Sequence, residues 1–340
     1  MRKVTVGILV FEGCQESGLT APLDVFRIVE ALSTAGSASE PVALEARFVS
    51  IGGGMRRTAG DLRVETVPAE SATLDAVIVP GVHHRDVADL LRALTPLDAE
   101  AAWLAKVASS GAPVLASCSG VFMLGAAGVL DGRRATTSWW LGPALHDRFP
   151  NVRLEADGRI VADGVCVSAA GVTSYHDLAL WLVQRFAGED LRRACAKFLL
   201  LDLDRQTQTP FVIEQLMEAP REDLIARARD WLNARLTQTV RIEDLARHCG
   251  VSQRTLLRRF RDTADRTPAR YLQTLRLARA KALLEDTALP AAEVAVQCGY
   301  ADVATFRKTF KLRVRLTPYQ YRERFRRRLP DETVVGAAAS

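Results

Sequence analysis

Short apolar runs alternate with amphipathic segments along the first half of the chain. The runs predict buried strands, because strands in a parallel sheet read as nearly continuous hydrophobic stretches. Predicted strands are Val4–Val10, Leu44–Ile51, Leu74–Val79 and Pro113–Ser117. Predicted helices are Ala21–Ala35, Asp98–Ser109 and Ser119–Ala127. Strands that alternate with helices in this way indicate an α/β fold, a parallel sheet covered by helices on both faces.

Shorter elements are predicted beyond Gly128. They are a strand over Arg133–Thr136, a helix near Gly142–Arg148, a hairpin through Arg153–Ser168 turning at Asp163-Gly164, and helices over Thr173–Phe186 and Asp190–Leu203. Asp204–Pro220, with Gln/Thr pairs and two prolines, predicts a linker. We therefore expect an α/β domain over residues 1–203, a linker over 204–220, an all-α domain over 221–328 and a disordered tail over 329–340.

One small helical motif occurs twice between Val240 and Phe325. The first copy contains Ala246, Cys249, Gly250, Phe260, Thr267, Pro268 and Tyr271, and the second contains Ala295, Cys298, Gly299, Phe310, Thr317, Pro318 and Tyr321. Each copy reads as a short amphipathic helix, a turn glycine, a polar cap and a basic second helix. This is the sequence form of a helix-turn-helix, whose second helix enters the major groove. Two copies in register, about 50 residues apart, predict DNA binding.

The charge distribution agrees with that prediction. Residues 221–328 hold 25 Lys and Arg against 12 Asp and Glu, whereas the rest of the chain holds 20 against 28. A basic segment joined to a mildly acidic one is expected when a regulatory domain is fused to a nucleic-acid reader.

Composition disfavours secreted, membrane and metal-binding proteins. The apolar run after Lys3 has only about seven residues, short of a signal peptide, and no run approaches the roughly 20 residues of a membrane helix. Six cysteines without a CxxC motif or a Cys/His cluster indicate reduced thiols. We expect a cytoplasmic protein, associated with the nucleoid, that needs neither a metal nor a cofactor.

The recognition helices are predicted to begin after Ser252 and Asp302, good N-cap residues, and to run to about Ala264 and Arg313. The DNA-facing residues of the first helix are Gln253, Arg254, Leu257 and Arg258, and those of the second are Val303, Ala304, Arg307 and Lys308. Arg254 and Arg258 lie one turn apart and suit bidentate contact with guanine. The second set is poorer in base-reading groups, so we expect it to add affinity and shape readout. A connecting helix from Pro268 to Glu285 would span about 27 Å and set the readers roughly one DNA turn apart.

Cys118 is the reactive candidate of the first domain. It stands between a predicted strand and a predicted helix, the arrangement of a nucleophile elbow, where the helix N-terminus favours a thiolate. Ligands bind at this edge of open α/β sheets. The alternative, equally open at this point, is a small buried cysteine that fills space.

The two parts of the chain resemble known families. In front, the residues that carry the resemblance are Phe11-Glu12-Gly13, Pro22–Phe26, Val79-Pro80-Gly81, Ala116–Trp139, Ser168–Gly171 with Asp177–Leu180, and Arg205 with Gln208–Phe211. They resemble the class I glutamine amidotransferase-like (ThiJ/PfpI) superfamily, and this resemblance implies an α/β flavodoxin-like fold for the first domain. The paired motifs behind resemble AraC-type regulators. The combination is typical of a subfamily of transcription factors, and it covers about residues 4–328.

Two positions depart from the hydrolytic members of that superfamily. Ser138 stands where many members place a histidine, and Gly18 stands where they carry an acid. A cysteine nucleophile needs a neighbouring base, so the resemblance implies a degenerate site with no catalytic residue. His83, His84 and His176 are the candidate substitutes, although a histidine in a surface or core role is more common.

We therefore predict a DNA-binding transcriptional regulator controlled by a small effector, an amino acid or a quaternary amine, that binds in a cleft around Cys118. As the family's oxyanion hole implies, backbone N–H groups of Gly81, Val82 and Ser119 would form an anion-binding wall. Ser138, Trp139 and Trp140 would close one side, and the tryptophans could form a cation–π face. The expected partners are double-stranded promoter or operator DNA, a second copy of the chain and RNA polymerase.

Two alternatives to that prediction stay open. In one, the protein is a Cys118-dependent hydrolase or amidase fused to a DNA-binding domain. In the other, the first domain is a dimerisation module that binds no ligand.

Overall fold

The computed structural model describes residues 2–34, 41–203, 207–213, 223–264 and 267–326. Contacts divide the chain into two compact units, residues 1–208 and 209–340. The boundary therefore falls inside the segment predicted as a linker, and the predicted tail lies outside the described residues. No described helix is both long and apolar enough to cross a membrane.

The first unit is built on an eight-stranded sheet. Its elements are β1 (Arg2–Leu9), α1 (Ser17–Thr34), β2 (Val42–Ser50), β3 (Gly54–Arg57), β4 (Arg63–Pro68), β5 (Ala76–Val79), α2 (Val87–Leu94), α3 (Asp98–Ser109), β6 (Val114–Ser117), α4 (Val121–Ala126), β7 (Arg134–Ala135), α5 (Gly142–Arg148), β8 (Arg153–Leu154), β9 (Ile160–Asp163), β10 (Cys166–Ala169), α6 (Ser174–Ala187) and α7 (Glu189–Phe198). The strand order is β3-β4-β2-β1-β5-β6-β10-β9, parallel except for the β3–β4 and β9–β10 pairs.

Helices cover both faces of this sheet, which confirms the predicted α/β architecture. One hydrophobic cluster joins the sheet to α2, α3, α4 and α5 and contains Leu104 and Phe122. The other joins it to α1, α6 and α7 and contains Phe26 and Tyr175. The strands that bear the site, β5 and β6, are buried along their whole length because the sheet has a helical layer on each side.

Several predicted elements differ from those observed. The β3–β4 hairpin was missed because its strands are short and mostly exposed, so they lack an apolar run. Helix α2 was missed for a similar reason, since Leu90 is its one fully buried residue. The predicted hairpin through Arg153–Ser168 is wrong in its first arm: Arg153–Leu154 pairs in parallel with β7, and the hairpin is formed by β9 and β10. Helix α7 ends at Phe198, short of the predicted Leu203.

The second unit is helical. It begins with a short 3-10 helix at Thr209–Phe211, and its α-helices are α8 (Asp223–Asn233), α9 (Ile242–His248), α10 (Gln253–Ala264), α11 (Pro268–Asp286), α12 (Ala291–Gln297), α13 (Val303–Val314) and α14 (Pro318–Phe325). The first helix-turn-helix consists of α9 and α10, and the second consists of α12 and α13. Both copies of the repeated motif therefore fold as predicted.

The helix boundaries of the two motifs follow from their caps. The Thr255 N–H donates to Ser252 Oγ at 3.2 Å, and the Thr305 N–H donates to Asp302 Oδ1 at 2.7 Å. These bonds satisfy backbone donors that the first turn of each helix leaves without a partner. Both predicted N-caps are confirmed. Between the motifs, α11 begins at Pro268 as predicted, and its leucines are buried, including Leu272, Leu275, Leu283 and Leu284.

Candidate functional site

Cys118 forms the sharp turn that the sequence predicted. It follows β6, opens a one-turn 3-10 helix over Cys118–Gly120, and α4 begins at Val121. Its φ of +55° lies in the left-handed region, which is strained for a residue with a side chain. A strained residue between a strand and a helix at the sheet edge is the geometry of a nucleophile elbow.

The surroundings of the thiol keep it protonated. Cys118 is 2% exposed. Burial raises the pKa of the Cys118 thiol, and hydrogen bonds from Ser138 and Ser119 lower it only in part. Because the net shift is upward, the thiolate that would act as a nucleophile is disfavoured at neutral pH.

A catalytic acid cannot be accommodated at Gly18. A Cβ built there would lie 2.6 Å from Pro80 Cβ and 3.1 Å from the Tyr175 ring. Tyr175 is fully buried, and its hydroxyl donates to the Ser117 carbonyl at 3.2 Å. The space beside the elbow is thus filled by a proline and a tyrosine.

The three candidate histidines have other partners. A ring nitrogen of His84 lies 2.8 Å from the Val82 carbonyl, and one of His176 lies 3.2 Å from the Thr173 carbonyl. His83 is exposed and lies near the Glu16 carboxyl. Burial raises the pKa of Glu16, but hydrogen bonds from Thr58 and Gly60 and the nearby His83 lower it by more, so the net shift is downward. Among the described residues, the groups that shift the pKa of Cys118 are serines, and no histidine is one of them.

The predicted anion-binding wall is partly closed by the protein itself. The Val82 N–H donates to Ser119 Oγ at 3.0 Å, and Ser119 Oγ donates back to the Val82 carbonyl at 2.9 Å. The Ser119 N–H points to the Cys118 sulfur. The Val82 N–H thus has an acceptor within the protein, and the anion-binding wall of Gly81, Val82 and Ser119 stays a prediction.

One acceptor beside the elbow makes no hydrogen bond with the part of the chain that the structure describes. Gln15 Oε1 is buried and, among the described residues, makes no hydrogen bond. With Ser119 Oγ it fills the place that a Cβ on Gly81 would take. A buried acceptor without a donor is costly, so this oxygen marks a place where a donor from a ligand would be favourable.

Trp139 and Trp140 form an edge-to-face pair. Their ring centroids are 5.1 Å apart and the ring planes meet at 82°. Trp139 is half-buried and Trp140 is 41% exposed. The cation–π face that this pair would form stays a prediction.

Sequence reasoning missed Gln208, which it assigned to the linker. The side chain is 8% exposed, and its Oε1 accepts the Trp139 N–H at 2.8 Å. Its Nε2 donates to the carbonyls of Thr137 and Ala156, each at 2.9 Å. Thr137 in turn donates its hydroxyl to the Cys118 carbonyl at 2.8 Å. Gln208 thus fastens the segment that carries Ser138 to the chain at Ala156. The signal that could have found it is the Gln208–Phe211 motif already noted in the sequence.

The first recognition helix, α10, presents the predicted face to solvent. Its exposed residues include Gln253, Arg254, Leu257 and Arg258, whereas Leu256 and Phe260 are fully buried. The buried pair anchors the helix to its own core, and the arginines are left to reach outward. This separation of faces is what a helix in a major groove requires.

The second recognition helix, α13, is similar but more basic toward its end. Ala304, Arg307 and Lys308 are exposed, and Val303 is half-buried. A cavity of about 510 Å³ adjoins it, and its lining includes Arg307, Lys308, Lys311, Pro318, Tyr319 and Arg322. The cations Lys311 and Arg322 were not among the predicted residues, because they belong to the end of α13 and to α14, outside the predicted reading face.

Comparison with known proteins agrees with this geometry. The DJ-1/PfpI family model matches residues 4–185. The chain belongs to the DJ-1/PfpI family. A helix-turn-helix domain model matches residues 245–324. Both resemblances drawn from the sequence are thereby confirmed.

The relatives of this DJ-1/PfpI protein include regulators and an enzyme. It is 29% identical over 253 residues to the HTH-type transcriptional regulator CdhR of Pseudomonas aeruginosa, a match that covers 73% of this chain and 74% of CdhR. It is 28% identical over 206 residues to the HTH-type transcriptional regulator GbdR of the same species, covering 60% of this chain and 56% of GbdR, little more than half of that protein. It is 30% identical over 208 residues to the isonitrile hydratase of Pseudomonas putida, covering 61% of this chain and 80% of the hydratase.

Proposed function

We propose that this protein is a sequence-specific, DNA-binding transcriptional regulator whose first unit binds a small effector in the cleft around Cys118. The observation that carries the DNA-binding part is the pair of capped, basic recognition helices, α10 and α13, in one helical unit. Two relatives named as HTH-type transcriptional regulators support it.

Base reading is assigned chiefly to α10. Arg254 and Arg258 are exposed one turn apart on the face opposite Leu256 and Phe260, and arginine contacts guanine through two parallel hydrogen bonds. On α13, Arg307 and Lys308 reach phosphates, where they add affinity without choosing a sequence.

A binding measurement tests this division of roles. Operator sequences are selected from a random DNA pool with the wild-type protein, and affinities are then measured for the selected site and for random DNA. Arg254→Ala and Arg258→Ala should each cost about 1–3 kcal/mol on the selected site and little on random DNA. Arg307→Ala and Lys308→Ala should weaken both and lower the salt dependence by about one unit each.

The control is Arg63→Ala, an exposed arginine of the first unit. It removes one positive charge without touching α10 or α13, and it should change neither affinity nor selectivity. Unchanged selectivity in both Arg254→Ala and Arg258→Ala would contradict the assignment of α10 as the specificity reader. Absence of binding by the wild-type protein to any selected DNA would contradict the proposed function itself.

For the effector, the unpartnered Gln15 Oε1 narrows the chemical class. It can accept a hydrogen bond from an N–H group, which an amino acid offers and a quaternary amine lacks. We therefore favour an amino acid or another primary amine, held between Gln15 and the elbow residues Cys118, Ser119 and Ser138, with Gly81, Val82 and Trp139 at the margin of the cleft.

A thermal-shift screen with amino acids and quaternary amines tests this proposal, since a ligand that binds only the folded state raises the melting temperature. An amino acid should raise it in the wild type and not in Gln15→Leu or Cys118→Trp, the second of which fills the cleft. A response that persists in Cys118→Trp would place the site elsewhere. No response to any compound would favour a ligand-free dimerisation module.

A non-enzymatic role is supported by the protonated Cys118 thiol and by the proline and tyrosine that occupy the place of the acid. The hydratase relative makes the rival role testable. Turnover of ester, glyoxal or isonitrile substrates that disappears in Cys118→Ala would overturn the non-enzymatic role. We further propose that the protein acts as a homodimer in the cytoplasm, where it meets promoter DNA and RNA polymerase.

A further inference from the structure

The second unit contains two separate hydrophobic clusters, one around each helix-turn-helix. The first includes residues of α8, α9 and α10 and the start of α11 as far as Leu275. The second begins on α11 at Leu277 and includes residues of α12, α13 and α14. Of the described helices, α11 is the one that contributes to both clusters. We call the parts of the second unit around these clusters its two lobes, and they are joined through α11 and through the contacts described next.

Arg276 lies on α11 at the point where one cluster ends and the other begins. Its Nε donates to the Leu236 carbonyl at 2.9 Å, and its Nη2 donates to the Gln238 carbonyl at 3.2 Å. Those carbonyls belong to the turn that leads from α8 into the first helix-turn-helix. The guanidinium carbon also lies 5.9 Å from the ring centroid of Tyr300, in the second helix-turn-helix, within the range of a cation–π contact. Arg276 thus contacts both lobes.

Other contacts join the two lobes at the same place. The turn of the second helix-turn-helix approaches the Leu236–Gln238 segment so closely that a Cβ on Gly299 would lie 2.7 Å from the Thr237 Cα. The Tyr300 hydroxyl donates to Gln273 Oε1 at 3.3 Å, one turn before Arg276 on α11. Burial lowers the pKa of Arg276. The charged guanidinium is therefore less well solvated between the two lobes than it would be at the protein surface.

We propose that Arg276 is a positioning residue that fixes the separation and angle of the two recognition helices, and thereby the spacing between the two DNA segments that the protein reads. The inference rests on the proposed DNA binding. One extra base pair between the segments moves the second by about 3.4 Å and turns it by roughly 35° around the duplex, because a turn of about 34–36 Å holds 10–10.5 base pairs. If the two recognition helices are held rigidly, the displacement should lower the affinity for DNA. If they are loosely joined, the affinity should change little.

The experiment measures spacing selectivity. Affinities are determined for the selected operator and for the same operator with one base pair inserted or removed between its two segments. In Arg276→Gln, which cannot bridge both carbonyls and the ring, the preference for native spacing should fall about tenfold, the size of effect expected from losing charged hydrogen bonds. Base preference within each segment should be unchanged. Arg276→Lys, which keeps a charge and a donor, should fall between Arg276→Gln and the wild type.

The matched control is Arg279→Gln. It removes an exposed arginine of the same helix and should leave spacing selectivity at the wild-type value. Circular dichroism and a thermal melt establish whether each variant is folded, and if Arg276→Gln is not, Arg276→Lys decides by the same comparison. Wild-type spacing selectivity in a folded Arg276 variant would overturn the inference while leaving the proposed function intact. A wild-type protein that binds no DNA would overturn both.

Discussion

Replacing each turn glycine by alanine should have different costs in the two helix-turn-helix motifs. Gly250 and Gly299 occupy equivalent positions of the repeat, and both have left-handed φ angles, +71° and +75°. Their surroundings differ. A Cβ on Gly250 meets no heavy atom within 4 Å, whereas a Cβ on Gly299 meets the Leu236 carbonyl and lies 2.7 Å from the Thr237 Cα. Gly250→Ala therefore reports backbone strain alone, and Gly299→Ala adds a steric conflict.

The magnitudes follow from those two contributions. An alanine held at a left-handed φ angle destabilises the folded state by about 1–2 kcal/mol relative to glycine. Alanine also restricts the unfolded chain, which favours folding by about 0.4–1 kcal/mol. Gly250→Ala should therefore destabilise the second unit by roughly 0.5–1 kcal/mol. At Gly299 the neighbour is backbone, which has no alternative rotamer, and forcing an extra carbon into packed structure costs a further 1–3 kcal/mol or so. The expected difference between the two variants is about 1–3 kcal/mol.

The assay is thermal unfolding of the full chain, followed by the circular dichroism of its helices. The melting temperatures of the two variants are compared with each other and with that of the wild type. For a unit of about 100 residues, each kcal/mol shifts the melting temperature by about 4–8 °C, so Gly299→Ala should melt at least about 4 °C below Gly250→Ala. Equal melting temperatures would refute the reasoning, because they would mean that the Leu236–Gln238 turn does not press on Gly299 in solution.

Three further predictions concern the first unit. Gln208→Leu should destabilise it by about 2–4 kcal/mol, measured by urea unfolding, because an N–H and several carbonyls lose a buried partner. Asp177→Ala should cost about 3–5 kcal/mol by the same assay, because it removes the carboxylate that pairs with the Arg159 guanidinium, whose side chain is 8% exposed. Burial raises the pKa of the Cys14 thiol to about 11 and that of the Cys166 thiol to about 12. Between about pH 8 and 10 these two thiols therefore release protons in the unfolded chain but not in the folded one. The free energy of unfolding should fall as the pH rises through that range.

Each of these has a control and a contrary result. Gln184→Leu replaces an exposed glutamine of α6 and should change stability by less than about 0.5 kcal/mol. A Gln208→Leu variant as stable as that control would contradict the stabilising role of the Gln208 hydrogen bonds. Replacing both Arg159 and Asp177 by apolar residues should cost less than Asp177→Ala alone. A wild-type melting temperature that stays constant up to pH 10 would contradict the thiol explanation. So would a melting temperature that falls as much in the Cys14→Ala/Cys166→Ala double variant as in the wild type.

The sequence by itself determined the architecture and the faces that the two recognition helices expose to solvent. Apolar runs and helical periodicity report local burial, which is why β1, β6 and α3 were found close to their observed bounds. The repeat with its caps Ser252 and Asp302 fixed both recognition helices, because an N-cap acts on donors only two or three residues away. Outward placement of Arg254 and Arg258 then followed from the helical period.

Only the tertiary structure decided how these pieces meet. No local pattern shows that Gln208 bonds to Thr137 and Ala156, that Ser119 takes the Val82 N–H, or that Gly299 lies against a turn more than 60 residues earlier in the chain. Equivalent positions of the repeat place Gly250 in open space and Gly299 against backbone, because the two copies have different neighbours. Such contacts join residues that the sequence keeps far apart. They depend on how the sheet edge and the two helical lobes assemble, which the hydrophobic pattern of any one segment does not encode.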